Sequence, residues 1–270
     1  MRLQRQTGNH RYTMRWIRIA YFTLAGWLPV VAGIGFFTVY IVSLRIFIRD
    51  RDRFEKKAQD FKYRFWKWYF ARLPFLSIRV YGAEKLPSNT AFVLVTNHSS
   101  FLDVPLLFSI VPELSGIARE YLFRVPGLGM VLRTLGFFPI RRQSDDDGLG
   151  GLVACRDILN SGRNVLIMPE GERVTPGKVG RFSPGAFHLA RMGNVPVVPA
   201  VLINLEKALP PGRMIPQVDR AVDVEVRFFD PILPPVDDDR ESVREMAQKT
   251  RRMLCDAIEK SRSGEIANKC

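Results

Sequence analysis

Two kinds of hydrophobic pattern divide the chain. From Ile19 to Leu44 no charge interrupts 26 positions, IAYFTLAGWLPVVAGIGFFTVYIVSL, and Arg18 and Arg45 bound the run. A straight helix of that length covers about 39 Å, more than the roughly 30 Å of a bilayer's hydrocarbon core. A core helix rarely needs so long a stretch that is apolar on every face, so the pattern predicts a membrane-embedded helical segment. Pro29, Gly33 and Gly35 lie near its middle, where a helix can kink or break. Both flanks are basic, which removes the Lys/Arg asymmetry from which orientation is read. Two short helices dipping into one leaflet place both flanks on the same anionic surface, and this monotopic hairpin is preferred to a tilted single span. The next segment, FKYRFWKWYFARLPFL (61–76), interleaves aromatic rings with Lys62, Arg64, Lys67 and Arg72. Rings favour the headgroup zone and basic stems snorkel toward phosphate, so it reads as an interfacial helix.

From about residue 77 the period changes. SIRVYG alternates as a strand does, while AFVLVTNH (91–98) and NVLIMPEG (164–171) are short apolar runs suited to strands buried on both faces. LGFFPI (135–140), VPVVPAVLI (195–203) and AVDVEVRFFDPI (221–232) are strand-like too. Helical spacing runs through SFLDVPLLFSIV, DGLGGLVACRDILNSG (147–162), GAFHLARMG (185–193) and a charged amphipathic stretch from Asp239 to about Ser261. Repeated strand–helix–strand units predict an α/β fold, a mixed and mostly parallel sheet flanked by helices. The expected division is residues 1–76 as basic, apolar membrane-anchoring helices and 77–270 as one α/β domain.

Charge changes the picture by its position. The formal net charge is +13, but residues 1–72 hold 15 Lys/Arg against four Asp/Glu, and the rest of the chain is nearly neutral. Beside a membrane-length apolar run, the anion such a cluster meets is a lipid surface, so nucleic acid is not an expected partner. Cys155, Cys255 and Cys270 are odd in number and widely spaced, without a CxxC pair. They argue against a disulfide scaffold or a structural zinc site and suit a reducing compartment. No metal is expected. The apolar run is too long for a cleavable signal peptide and ends in VSLRIFIRDRDR without the small residues of a cleavage site. The expected location is a membrane, on its cytoplasmic face.

His98 ends a buried strand and Asp103 follows five residues later, in NHSSFLD. If a helix begins near Ser99 or Ser100, the carboxylate stands about one turn along and reaches back to the imidazole. Such a carboxylate fixes the ring tautomer and stabilises the imidazolium that forms on proton uptake. No G-x-S-x-G supplies a nucleophilic serine, so the pair suits direct deprotonation of a substrate hydroxyl. PEGERVTPG (169–177) sets Glu170 and Arg173 on a turn after a strand, and LGFFPIRR (135–142) ends another strand with Arg141 and Arg142. Guanidinium forks match phosphate geometry, so arginines from two loops can clamp one anionic headgroup.

Together, over roughly residues 75–205, these blocks resemble the glycerophosphate and lysophosphatidate acyltransferases, the PlsC-like family. NHSSFLD matches the family's N-H-x-S-x-x-D, which implies His98 as general base and Asp103 as its orienting partner. LGFFPIRR is similar to the second block, with Arg142 at the arginine position and Arg141 where relatives are commonly acidic. MPEGERV is similar to F-P-E-G-T-R-S and carries Glu170, Gly171 and Arg173 into the phosphate-binding block, while Met168, Glu172 and Val174 depart from it. VPVVPAVL is similar to the fourth block, which implies that Pro199 lines the acyl or acceptor pocket. Ser183, in FSPGAF, stands where relatives often have lysine. The resemblance implies transfer of a fatty acyl group to the free hydroxyl of lysophosphatidate, giving phosphatidate. Acyl-CoA or acyl-ACP (acyl carrier protein) is the implied donor substrate, with no bound cofactor, and membrane lipids and a lysophospholipid acceptor are the implied partners. The alternatives are another lysophospholipid or lyso-aminolipid as acceptor, and a non-catalytic membrane-bound interaction protein that keeps the fold.

Overall fold

The computed structural model describes residues 3–140, 145–173, 177–216, 221–235 and 240–267. Its first element, α1, is one helix of 45 residues, Leu3–Phe47, with Pro29 inside it. The expected pair of short helices within 19–44 is thereby corrected, since the backbone stays helical through Pro29, Gly33 and Gly35. In apolar surroundings a break strands several backbone N–H and C=O groups, which costs more than the one hydrogen bond a proline omits. Gly33 serves close packing instead, because a Cβ there would run into the Phe65 ring.

The chain turns only after α1. Asp50 caps α2, Arg51–Phe70, by accepting from the Arg53 N–H at 2.7 Å. Helix α2 then folds back along α1. Phe61 stacks on Phe37 and Tyr40 at 4.6 and 4.8 Å between centroids, and the Tyr69 hydroxyl donates to the Gly26 carbonyl at 3.0 Å. A helical hairpin therefore exists, with its turn at residues 48–50. From Arg15 to Phe47, α1 is long and apolar enough to cross a membrane. One stripe, including Phe22, Phe37 and Ile41, is buried; another, including Leu24, Leu28, Val31, Val39 and Ile46, is exposed. A helix with apolar stripes on both sides offers no face suited to water.

Seven strands form one sheet: β1 Leu76–Tyr81, β2 Val93–Thr96, β3 Leu114–Arg119, β4 Phe138–Ile140, β5 Asn164–Ile167, β6 Val197–Ile203 and β7 Val222–Phe228. Their spatial order is β1-β7-β6-β2-β5-β3-β4. Among the described strands β6 and β7 pair antiparallel and the other pairs are parallel, so the sheet is mixed and mostly parallel, as the periodicity predicts. On one face lie α1, α2, α3 (Asp103–Phe108) and α4 (Leu128–Thr134); on the other lie α5 (Asp145–Asn160), α6 (Gly185–Met192) and α8 (Arg240–Ala267), and a one-turn α7 (Leu205–Ala208) follows β6. Leu94 and Val198 point into the first cluster, Val93, Val95 and Val197 into the second. Strands buried on both sides have no polar face, hence their unbroken apolar sequence.

The N-terminal helices share this core. Phe22, Phe37, Phe54 and Phe70 belong to the same buried cluster as Leu94 and Leu166 of the sheet. Beneath α2 runs a closed polar seam. Lys62, 1 % exposed, donates to the Gln59 side-chain carbonyl (2.6 Å) and the Leu114 carbonyl (2.7 Å), and lies 4.5 Å from the Phe108 ring centroid. Gln59 donates to Ser115 Oγ and the Leu135 carbonyl, and Ser115 donates to that same carbonyl. Burial holds the Lys62 ammonium well below its ordinary pKa.

Candidate active site

Parallel strands that end together place their following loops side by side, and open α/β sheets carry chemistry there. Central strands β2 and β5 pair with Val95 opposite Ile167. His98 and Glu170 each follow three residues later, at the same edge of the sheet.

The Asn97–Asp103 segment is pinned residue by residue. Asn97 imitates a strand: its side-chain amide donates to the Leu202 carbonyl (2.9 Å) and its carbonyl accepts the Leu202 N–H (2.8 Å). Ser100 Oγ donates to the Leu209 carbonyl at 2.8 Å. Asp103 is fully buried, and its Oδ2 accepts from His98 Nδ1 (2.9 Å), Ser99 N–H (2.7 Å) and Ser100 N–H (2.7 Å). The expected geometry needs correction here. Helix α3 begins at Asp103 itself, not near Ser99 or Ser100. The carboxylate does not reach back along a helix; the preceding loop is wrapped around it. A loop whose amides point inward needs an acceptor at its centre, and Asp103 supplies it. Its other oxygen, Oδ1, has no hydrogen-bond partner among the described residues.

His98 keeps 18 % of its side chain exposed. With Nδ1–H held by Asp103, Nε2 is the nitrogen left to take a proton. Ser99 and Ser100 are both buried, so neither hydroxyl beside the ring is placed as a nucleophile.

Glu170, expected to bind substrate, is placed as a brace. One carboxylate oxygen accepts the His98 N–H (3.2 Å), the other the Gly180 N–H (3.1 Å). Burial pushes its carboxyl up to about 7; the two N–H donors act against this, Asp103 adds to it and Arg251 opposes it. Arg251, from α8, donates to the Gly180 and Val179 carbonyls at 2.6 and 2.9 Å. The Ser183 N–H donates to the Pro169 carbonyl (2.8 Å), which ties this stretch to the turn that carries Glu170.

Gly171 sits at φ +73°, a left-handed conformation that suits glycine, and its carbonyl accepts from Arg119 Nη2 at 3.0 Å. Arg173 is exposed, with its guanidinium 5.5 Å from the Phe101 ring centroid. Pro199 lies within β6 opposite Val95 and is buried in the sheet. Arg141 and Arg142 lie outside the described residues; β4 ends just before them at Ile140, beside Arg119 of β3. The sequence pattern offered no role for Arg119, Asn97, Arg251 or Phe101. Asn97 and Phe101 stand inside the motif that singled out His98, and that adjacency was the available signal. Arg119 belongs to a strand that the pattern did not reveal.

Residues 77–203 match the model of the family described as Acyltransferase. The chloroplastic 1-acyl-sn-glycerol-3-phosphate acyltransferases of Arabidopsis thaliana and Brassica napus are 33% and 31% identical over 186 residues, 68% of this chain and 52% and 54% of theirs. The chain thus spans about half the length of these curated relatives. The crystal structure of the 1-acyl-sn-glycerophosphate acyltransferase PlsC from Thermotoga maritima is similar with a TM-score of 0.78 and 25% identity, covering 92% of this chain and 98% of that one.

Proposed function

We propose that this chain, which belongs to the PlsC-like acyltransferase family, transfers a fatty acyl group from an acyl thioester to the free hydroxyl of lysophosphatidate, giving phosphatidate. The observation that carries this reading is the 2.9 Å bond between His98 Nδ1 and Asp103 Oδ2, with both neighbouring serines buried. A base with no nucleophile of its own acts on the substrate's hydroxyl directly. His98 Nε2 takes that proton as the oxygen attacks the thioester carbonyl. The carbon–sulfur bond then breaks, and the proton passes from the imidazolium to the leaving thiolate of coenzyme A or acyl carrier protein. Asp103 holds the ring and stabilises its charged form. Glu170 fixes the His98 backbone. Arg173 binds the acceptor's phosphate through its fork of N–H donors, joined by Arg142 and Arg141 from the neighbouring loop. Pro199 belongs to the floor beneath the acyl or acceptor pocket.

Residues 1–76 hold the catalytic domain of residues 77–270 at the cytoplasmic face of a membrane. The exposed apolar stripe of α1 and the basic excess of this segment support that role. Membrane lipids are therefore both surroundings and source of acceptor, and the site is held where a lysolipid's headgroup meets water.

The test is an assay of the full chain in mixed micelles with labelled acyl-CoA or acyl-ACP and a panel of lysolipids. Lysophosphatidate is expected to be acylated fastest. Faster turnover of a lysolipid with another headgroup reassigns the acceptor. Turnover that survives His98→Ala unchanged overturns the mechanism.

A further inference from the structure

Phe101 takes no part in the proton transfer, yet two elements of different origin meet on its ring. The Arg173 guanidinium carbon lies 5.5 Å from its centroid. The Trp27 ring of α1 lies 5.5 Å away at an interplanar angle of 54°. The Trp27 indole N–H in turn donates to the Met214 carbonyl, in the segment that follows α7. Phe101 itself stands between His98 and Asp103, in the loop that Asn97, Ser100 and Asp103 pin down.

We propose that Phe101 is a positioning residue whose ring sets Arg173 for the acceptor's phosphate and ties that setting to membrane helix α1; this rests on the role given to Arg173 above. The physical case is one of direction. Among the described residues no carboxylate pairs with Arg173, whose guanidinium instead meets the Phe101 ring. An aromatic ring attracts a guanidinium through its face, and the donors that a phosphate needs lie in the guanidinium plane. The ring thus holds the arginine without competing for what it binds. Because the shelf and the base share one short loop, the distance from bound phosphate to His98 is set by a rigid unit. An acceptor is then selected by the separation of its phosphate and hydroxyl as well as by its charge. The Trp27 contact places α1 against the same shelf, so the helix in the bilayer and the headgroup clamp are held in register.

The experiment uses the full chain in mixed micelles with lysophosphatidate as varied substrate. Phe101→Leu keeps an apolar side chain and removes the ring; acceptor KM is expected to rise about two- to fivefold, the size of an exposed cation–π contact, with kcat at the wild-type level. Phe101→Tyr restores KM. Arg173→Ala raises KM further, and Phe101→Leu adds nothing to it in the double variant, because both remove one interaction. If Phe101→Leu does not fold, Phe101→Met replaces it. An unchanged KM in the ringless variant, a loss confined to kcat, or additive effects in the double variant overturn the proposal while leaving Arg173 as headgroup ligand. An Arg173→Ala protein with unchanged acceptor KM overturns that ligand assignment and the proposal with it.

Discussion

Among the described residues, two buried polar clusters are finished differently. In the seam beneath α2, Lys62 and Gln59 direct their donors to named acceptors, and Ser115 donates to the Leu135 carbonyl. Around Asp103, three donors crowd one oxygen while the other has no partner among the described residues, and His98 keeps one ring nitrogen uncommitted. Buried polar groups are normally satisfied, because an unmade hydrogen bond costs about 1–3 kcal/mol in the protein interior. A closed network is what a helix docked on a sheet needs. An open one, at a strand end with its histidine partly exposed, is what a reaction needs. The charged residue that looks more anomalous, a buried lysine, thus sits in a closed network, and the partly exposed histidine is the one proposed above for the chemistry.

The comparison is broken most severely at the histidine. His98→Ala is expected to lower turnover by at least ~100-fold, the scale of a missing general base, with the melting temperature little changed. Asp103→Asn should lose activity on the same scale, since the ring tautomer is no longer fixed. A protein that retains wild-type turnover after either change contradicts the assignment. Glu170→Gln comes next, with a roughly tenfold loss from a displaced His98 backbone. It also carries a pH signature. Folding raises the Glu170 pKa from 4.5 to about 7. Its contribution to stability is therefore complete below pH 4.5 and is lost as pH rises through about 7. The melting temperature of the wild type should fall across that window relative to Glu170→Gln; parallel curves would remove Glu170's place in the site. The smallest effect on catalysis is expected at the seam. Lys62→Met should leave turnover at the wild-type level. Because burial lowers the Lys62 pKa from 10.5, the wild type should lose stability as pH falls below about that value. The Lys62→Met variant should lack that slope, and a collapse of its turnover would move the seam into the catalytic machinery.

Much of this was legible in the order of residues, for identifiable reasons. Strands β2, β5, β6 and β7 announced themselves because burial on both faces, or regular alternation, leaves a periodic trace. Strand β3 and helix α4 did not. In LSGIAR, Ser115 faces the seam and Gly116 is demanded by the close approach of the Leu166 carbonyl, so neither shows the apolar pattern of a buried strand. With β3 missed, Arg119 and its bond to Gly171 were invisible as well. Pro29 and Gly33 misled in the opposite direction. The local rule that such residues break helices yields here to packing, since the glycine lets Phe65 approach and α2 lies along the unbroken helix.

Local chemistry, read in order along the chain, determined the class of fold, the apolar N-terminal helix and the identity of the His98–Asp103 pair, because periodicity and short spacing are written between near neighbours. Only the folded chain decided what lies across from them. Glu170 comes under His98 through strand register, Arg173 comes over Phe101, and Trp27 reaches the same ring from residues far earlier in the chain. These contacts join segments tens of residues apart, and sequence distance carries no information about which strands will lie side by side.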